Sequence, residues 1–346
     1  MTVLAAYPDA ASARDAFVLA RRGPRPAHDP WRHQGLVVEP ERQADGQVRD
    51  AATVFLTGRE CPWRCVMCDL WQHTTPRDTR RGALVQQIDE AVSALRGGAT
   101  WPAVLKLYNA GSFFDPRAVP VDDHAAIALR LQPFERVVVE SHPSLVAARL
   151  PAFLETLRAV AGTRAPACEV AMGLETAHPE ALTRLHKRFT LDQFAHAAAH
   201  VRDSGAALRV FLLVGVPFIP AASQGDWVRR SVETAFTCGA TIVSLIPTRP
   251  GNGALETLQS LGAFEPPTID MLEDALDAAI PIGRTLTTTG GEDHRVCADL
   301  WDIECLLPCR HCAAARRARL SAMNLEQRVL PRVACGACDG RPRVSA

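Results

Sequence analysis

TGRECPWRCVMCDLW, residues 57–71, contains three cysteines within eight positions: Cys61, Cys65 and Cys68. The segment overlaps the end of ATVFLTG (52–58), an apolar run rich in β-branched residues that predicts a strand. A structural zinc site needs four protein ligands, usually from paired CxxC motifs or histidines. Three thiolates on one loop can instead hold three irons of a four-iron cluster and leave the fourth iron open to another molecule. We therefore predict an iron–sulfur cluster loop, with a zinc site or unmetallated thiols as the alternatives.

Apolar strand candidates alternate with segments of helical period along most of the chain. The strand candidates are ATVFLTG (52–58), VLKLYNA (104–110), RVVVES (136–141), EVAMGLE (169–175), RVFLLVGVP (209–217) and TIVSLIPT (241–248). The helical candidates cover 83–97, 121–132, 144–161, 178–204 (in two pieces), 223–238 and 268–286. This alternation predicts an α/β fold with a parallel sheet, either a partial (β/α)6 TIM-like barrel or a doubly wound sheet. Polar residues follow every strand and would ring one mouth, which favours the barrel.

Composition and charge exclude several classes of protein. The chain has 346 residues with 47% apolar content, enough for one large domain with or without a small appendage. Lysine plus arginine equals aspartate plus glutamate at 38 each, so net charge gives no argument for binding nucleic acid or membranes. No uncharged apolar run of about 18 residues and no signal-like N-terminus occur, so we expect a soluble, cytoplasmic protein without a membrane partner. The 11 cysteines are then expected to be metal ligands or reduced thiols.

The Cys61-x3-Cys65-x2-Cys68 loop after a first strand resembles that of the radical S-adenosylmethionine (SAM) superfamily. The resemblance implies a 4Fe-4S cluster held by these three thiolates, with SAM bound at the open iron. It further implies reductive cleavage of SAM to methionine and a 5'-deoxyadenosyl radical, which abstracts hydrogen from a substrate. A reduced electron donor of the flavodoxin or ferredoxin type would be needed. Met67 stands where the family often has an aromatic residue, and its apolar thioether can cover the adenine of SAM similarly.

Three further segments resemble the branch that contains the elongator catalytic subunit and the radical-SAM subunit of archaeosine synthase. They are EVAMGLETAHPEALTRLHKRFT (169–190), NAGSFFDP (109–116) and VVVESHP (137–143). This likeness implies that Glu175 binds the ribose or methionine end of SAM and that Lys187 or Arg188 neutralises the SAM carboxylate. The other implied SAM-binding residues are Asn109, Gly111, Ser112, Glu140 and Ser141. The implied substrate is a modified nucleoside or tRNA, rearranged by a lyase or transferase reaction, and a small-molecule or natural-product substrate is the alternative.

The C-terminal region contains two CxxC pairs, Cys309 with Cys312 and Cys335 with Cys338, separated by a segment of helical character. This spacing predicts a small zinc-ribbon-like module with a structural zinc ion. An auxiliary iron–sulfur cluster that recruits Cys297 or Cys305 and a set of unmetallated thiols are the alternatives. Eight arginines against two acids in 309–346 could hold a phosphate backbone, although a charge run is more often a solvated face.

The sequence therefore predicts three parts: an N-terminal arm (1–50), a partial-barrel core (51–290) and a cysteine-rich module (291–346). Within the core, His142, His178 and His186 are candidate proton relays, and Arg249 is a candidate for binding a substrate anion. A function of another class also remains open, an iron–sulfur sensor or electron carrier that binds nucleic acid. The three-cysteine loop argues against an electron carrier, because carriers normally have every iron ligated by protein.

Overall fold

The computed structural model describes residues 6–98, 100–290 and 293–338. Their backbone forms one eight-stranded sheet that curls into a half-barrel, with the strands in chain order across it. The strands are β1 (Gly35–Arg42), β2 (Val48–Leu56), β3 (Val104–Asn109), β4 (Arg136–Glu140), β5 (Ala167–Glu175), β6 (Ala207–Val214), β7 (Ile242–Pro247) and β8 (Arg295–Ala298). β1 runs antiparallel to β2, and all the other neighbouring pairs are parallel. The predicted α/β partial barrel is confirmed.

The six predicted strands are β2 to β7, and both edge strands were missed. β1 lies in the stretch that was expected to be an irregular arm. That expectation arose because its sequence, GLVVEPER, is charged and contains Pro40. Proline cannot donate to a ladder, but an edge strand tolerates it. β8 has only four residues, RVCA, which is too short for a periodicity signal. Both edge strands fall outside the 51–290 range assigned to the core, so the division into three parts stays a prediction.

Most of the helices cover the outer face of the sheet. They are α1 (Ala11–Leu19), α2 (Ala83–Arg96), α3 (His124–Leu131), α4 (Pro143–Ala161), α5 (Pro179–Arg184), α6 (Leu191–Asp203), α7 (Gln224–Thr237), α8 (Ala254–Ser260), α9 (Ile269–Gly290) and α10 (Ala313–Glu326). The main apolar core lies between most of these helices and the sheet, while α1 and α8 pack with the cysteine loop. No helix in the described part of the chain combines the length and the apolarity needed to cross a bilayer.

The inner face of the sheet carries its side chains in layers. At the N-terminal ends of the parallel strands, Arg209 bridges Glu41 (2.9 Å) and Glu169 (2.6 Å), and Lys106 pairs with Glu41. A small apolar layer lies beside these ion pairs, formed by Ala51, Val104, Val138 and Ala171 with Tyr108 and Phe211 packed against it. These two layers fill the lower part of the half-barrel. A ligand can therefore enter only from the other side, at the carboxyl ends of the strands.

The outer edge of β8 is covered by the end of α10. The Asn324 side-chain amide pairs with both backbone groups of Ala298 (2.8 and 2.8 Å). The Gln327 side-chain amide pairs in the same way with Val296 (2.8 and 2.9 Å). Two amide side chains thus replace the neighbouring strand that β8 lacks, which protects an otherwise open sheet edge.

Candidate active site at the barrel mouth

The cysteine loop begins directly after β2 and is fixed to several neighbouring loops by hydrogen bonds. Cys61 N donates to Ala110 O after β3 (3.4 Å), and Val66 N donates to Leu185 O (3.1 Å). Asn252 Nδ2 donates to Val66 O (2.7 Å), while its Oδ1 accepts from the first two backbone N–H groups of α8 (2.9 and 2.8 Å). Asn252 was missed from sequence, although an asparagine two residues before a helix is a recognisable cap signal.

The three loop thiols are enclosed together. Cys65 is buried, and Cys61 and Cys68 are half-buried. Burial, and then the charge of the Cys65 thiolate, raises the pKa of the Cys61 thiol to about 12. The same two causes raise the pKa of Cys68 well above its ordinary value. Three mutually repelling thiolates out of water need a cationic group to remain deprotonated, which is the chemistry of a metal-cluster donor set.

Lys187 is the cation of this mouth. Its Nζ lies 2.8 Å from Glu175 Oε1, and each side chain is 10% exposed. Burial opposes its charge, but Glu175 and the Cys65 thiolate raise the pKa of Lys187 above its ordinary value. The ion pair fits because Gly173 has no Cβ, since an added Cβ would lie 2.2 Å from Glu175 Oε1 and 2.9 Å from Lys187 Nζ. Sequence likeness named both charged residues, and the structure brings them together.

Glu175 occupies a strained position at the end of β5. A register shift falls between Gly173 and Glu175, and Glu175 has a φ of 68°. A non-glycine residue in the left-handed region is uncommon and persists where the surroundings impose it. The shift turns the carboxylate from the sheet toward Lys187. The strained backbone of Glu175 therefore accompanies the ion pair that its carboxylate makes with Lys187.

Glu140, Ser112 and Ser141 line the adjoining strand ends. Ser112 Oγ lies 3.1 Å from Ser141 Oγ and accepts from His142 N (2.8 Å), which joins the loops after β3 and β4. Burial raises the pKa of Glu140 to about 7; Lys187 lowers it and the Glu175 carboxylate raises it. Glu140 therefore changes charge near neutral pH beside Lys187 and Glu175.

Asn109 gives a test of whether a polar ligand fits the mouth. It is 3% exposed, and within the described residues neither its amide nitrogen nor its amide oxygen has a hydrogen-bond partner. Buried polar atoms are almost always paired, so an orphaned donor and acceptor at a strand end point to a missing ligand with both kinds of group. The amino and carboxylate groups of SAM meet that requirement. Gly111 lets the loop after β3 pack closely against the start of the cysteine loop, because an added Cβ would lie 2.1 Å from Arg59 O.

The remaining candidate residues lie around this centre. Arg188 donates to Asp15 on α1 (2.5 Å), and His186 contacts the same carboxylate (2.9 Å), so both face the N-terminal helix. Met67 packs against an apolar cluster that includes Val66 and Leu185. His178 caps α5 by accepting from Ala181 N (3.3 Å).

Arg249 lies in the loop after β7 and is held by an acid. Its Nη2 donates to Asp299 Oδ2 (2.9 Å), in the segment after β8. This pairing directs the guanidinium toward the protein's own carboxylate, where a substrate anion would have to compete with it.

A segment N-terminal to β1, within the predicted N-terminal arm, contacts the cysteine loop. Glu60, next to Cys61, binds Arg22 (2.7 Å) and also pairs with Arg25. His28 Nε2 contacts Gln72 O (2.6 Å) at the far end of the loop. The loop is therefore held from the solvent side as well as by the barrel.

The C-terminal cysteines form a second donor set. The sulfur atoms of Cys309, Cys312, Cys335 and Cys338 all lie within 4.8 Å of one another. Two of the distances are 3.9 Å, between Cys309 and Cys335, and 3.7 Å, between Cys312 and Cys338. No other such group is found among the described residues, so the loop thiols are more widely spaced. Wider spacing is expected where each thiolate binds a different iron.

Cys297 and Cys305 do not join the C-terminal donor set. The Cys297 thiol lies 4.0 Å from Asn324 O, and burial raises its pKa to about 11. Cys305 is exposed, with its thiol 3.2 Å from Asp302 Oδ2. Recruitment of either as a ligand therefore receives no support from the geometry.

The arginine run of the C-terminal region is largely neutralised within the molecule. Arg316 reaches Glu273 (2.6 Å), Arg319 reaches Asp277 (2.6 Å), and Arg332 reaches Asp274 (2.6 Å), all on α9. Arg317 pairs with Glu304, and Arg328 pairs with Glu326 (2.5 Å). Arg341 and Arg343 lie outside the described residues. Within the described residues the run therefore docks α10 and the segment after it onto α9, and five of its arginines are paired with acids.

No family model matches the chain. Among curated proteins, it is 26% identical over 258 residues to archaeosine synthase subunit beta from Methanosarcina acetivorans, covering 70% of each chain. Among solved structures, it resembles methylornithine synthase PylB, with a TM-score of 0.48 and 13% identity over 79% of this chain and 69% of PylB. It also resembles Elp3 of Methanocaldococcus infernus, with a TM-score of 0.45 and 13% identity over 57% of this chain and 49% of Elp3.

These structural scores are too low for a reaction to be carried over, and the chain spans only about half of Elp3. The assignment depends on three other observations: the Cys61-x3-Cys65-x2-Cys68 spacing, the position of that loop at the mouth of an α/β half-barrel, and the sequence similarity to archaeosine synthase subunit beta. In these features the chain resembles the radical SAM superfamily, and the similarity to archaeosine synthase subunit beta agrees with the branch that its strand-end motifs resemble.

Proposed function

We propose that the chain is a radical SAM enzyme in which Cys61, Cys65 and Cys68 hold a 4Fe-4S cluster. The observation that carries the proposal is the position of three enclosed thiols beside a buried Lys187–Glu175 ion pair at one mouth, with the unpaired Asn109 amide at the end of the neighbouring strand β3. When bound, the cluster and SAM would supply the one-electron cleavage that gives methionine and a 5'-deoxyadenosyl radical.

The residues of the mouth have separable roles in this proposal. The Asn109 amide and the backbone near Gly111 would bind the amino-acid end of SAM. Lys187 would neutralise negative charge close to the thiolates, and Glu175 would hold Lys187 while its other oxygen faces the ribose. The apolar layer below and the segment above the cysteine loop would keep water from the reacting centre.

Anaerobic reconstitution with iron and sulfide, followed by SAM and dithionite, tests the proposal. We expect about four irons per chain and accumulation of 5'-deoxyadenosine and methionine in equal amounts. The matched control is the same protein without dithionite, which should leave SAM intact because no electron is supplied. A stable, reducible cluster that yields no 5'-deoxyadenosine would instead favour the sensor or electron-carrier function.

For the substrate, we propose a nucleoside or a tRNA. The similarity to a relative named archaeosine synthase subunit beta supports it. The C-terminal arginines do not, since most of those in the described residues pair with acids. A small-molecule substrate is the second candidate for that reason. The electron donor is proposed to be of the flavodoxin or ferredoxin type, and the protein to be cytoplasmic.

For the C-terminal set, we propose one tetrahedral zinc ion. Four sulfurs at about 2.3 Å from a single ion lie about 3.8 Å apart at tetrahedral corners. The observed separations of 3.9 and 3.7 Å fit this value. Thiolates bound to separate irons of a cluster would be farther apart, so the geometry favours a mononuclear site over an auxiliary cluster.

Metal analysis of the purified protein checks the zinc site. We expect about one zinc per chain, lost in a Cys312→Ala variant because a donor is removed. Cys305→Ala is the matched control, since this exposed neighbour lies outside the donor set, and it should keep its zinc. Iron in place of zinc at these four cysteines, detected by thiolate-to-iron absorption that Cys312→Ala abolishes, would contradict the assignment.

A further inference from the structure

The imidazole of His142 contacts three separate parts of the mouth. Its ring stacks on Trp63, which lies between Cys61 and Cys65, with centroids 3.5 Å apart and planes 11° from parallel. Its Nε2 lies 2.9 Å from Lys187 O, and its Nδ1 accepts from Ser144 N (3.3 Å) at the start of α4. The residue is 8% exposed. One side chain thus touches the cysteine loop, a helix terminus and the segment that carries the mouth's cation.

These contacts fix the protonation state of the ring. Ser144 N can only donate, so Nδ1 must accept and carries no proton. Lys187 O can only accept, so Nε2 must donate and carries the single proton of a neutral imidazole. Burial and the nearby Lys187 ammonium both lower the pKa of His142, to about 3. With both nitrogens engaged and the ring neutral, His142 is not the proton relay that its sequence position allowed.

We propose that His142 is a positioning residue that couples the cysteine loop to Lys187. Stacking holds Trp63 on one face, while the Nε2–H bond holds the Lys187 backbone at the edge of the same ring. Lys187 lies in a short link between α5 and α6 and next to two residues with positive φ, His186 (64°) and Arg188 (59°). Such a link needs an outside anchor to keep the ammonium beside Cys65 and Glu175. The role of His142 in catalysis rests on the proposed function, but its contacts with Trp63 and Lys187 are present without a cluster.

The first experiment uses the cluster-free full chain, so that its outcome does not depend on cluster or SAM binding. Nitrogen chemical shifts of His142 measured from pH 5 to pH 8 should show one neutral tautomer, with the proton on Nε2, throughout. Titration with an ordinary histidine pKa, or a proton on Nδ1, would overturn the proposal. Failure of the proposed function would leave this result unchanged.

The second experiment compares His142→Phe with Trp63→Leu and the double variant in the reconstituted protein. His142→Phe keeps a ring for stacking but loses both hydrogen bonds, and Trp63→Leu loses the stack. We expect normal iron content, a more negative cluster midpoint potential because the ammonium is less well held, and SAM binding weakened by about tenfold. The effects of the two changes should be non-additive, because the stack and the Nε2–H bond are successive links of one path through the His142 ring.

His124→Phe is the matched control. His124 is also a buried histidine, 7% exposed, at the start of a helix and stacked on an aromatic ring (Phe113, 5.8 Å, 12°). It should lower the unfolding temperature without changing the midpoint potential or SAM affinity. If His142→Phe changes only the unfolding temperature, as this control does, the residue is merely structural and the proposal fails.

Discussion

Replacement of Cys65 by alanine is expected to lower reductive SAM cleavage by more than about 100-fold. Removing a residue that only hydrogen-bonds a metal ligand already lowers activity by about 10- to 100-fold, and loss of the ligand itself should cost more. Cys65 is the most enclosed of the three loop thiols, and it is the one whose charge acts on Cys61, Cys68 and Lys187. Without it, two thiolates remain to hold a cluster that needs three. Iron content, cluster absorption and 5'-deoxyadenosine after reconstitution measure the loss.

Cys168→Ala is the control for this change. Cys168 is a second buried cysteine, 5% exposed, and lies in the main core on the outer side of β5. Its replacement removes a small packing side chain, so a modest loss of stability is expected with cluster content and SAM cleavage intact. Full SAM cleavage by Cys65→Ala would remove the loop from the proposed cluster site.

The parallel strands and the loop cysteines could be predicted from sequence because their signals are local. A buried parallel strand is a nearly continuous apolar run, as in TVFL of β2 and VFLLV of β6, and the proposed cluster loop is marked by the spacing of its thiols. Likeness to a family added Glu175 and Lys187. Their pairing across Gly173 could not be foreseen, because it depends on a register shift within β5.

The parts that could not be predicted depend on contacts between distant segments. β1 becomes a strand only because β2 offers it an antiparallel edge, and Asn324 reads as an ordinary helical residue until its amide meets Ala298. The ion pairs of the C-terminal arginines could not be predicted for the same reason, since their partners Asp274 and Asp277 lie about 40 to 60 residues earlier on α9. A run of basic residues in the sequence does not show whether acidic side chains of other segments pair with it in the folded protein.

Lys187→Met is expected to lower the free energy of unfolding of the cluster-free protein by about 3–5 kcal/mol. The substitution keeps most of the side chain's length but leaves the Glu175 carboxylate buried without its partner, 2.8 Å from where the ammonium lay. Leaving a buried charge without its counter-ion lowers the free energy of unfolding by far more than the intact ion pair adds to it. Urea unfolding followed by circular dichroism measures the change, and SAM binding to the reconstituted variant should weaken in parallel.

Two companion variants separate this ion pair from general damage to the barrel. Adding Glu175→Gln to Lys187→Met removes the stranded charge, so part of the lost stability should return while SAM binding stays weak. Lys106→Met is the matched control, because Lys106 is the only other lysine of the chain and pairs with Glu41 at the opposite end of the half-barrel. It should destabilise the protein less, since Glu41 is likewise buried but keeps its ion pair with Arg209 (2.9 Å), and it should leave SAM binding unchanged. Equal loss of SAM binding in both lysine variants would mean that the barrel as a whole, and not the cation at its mouth, sets the affinity.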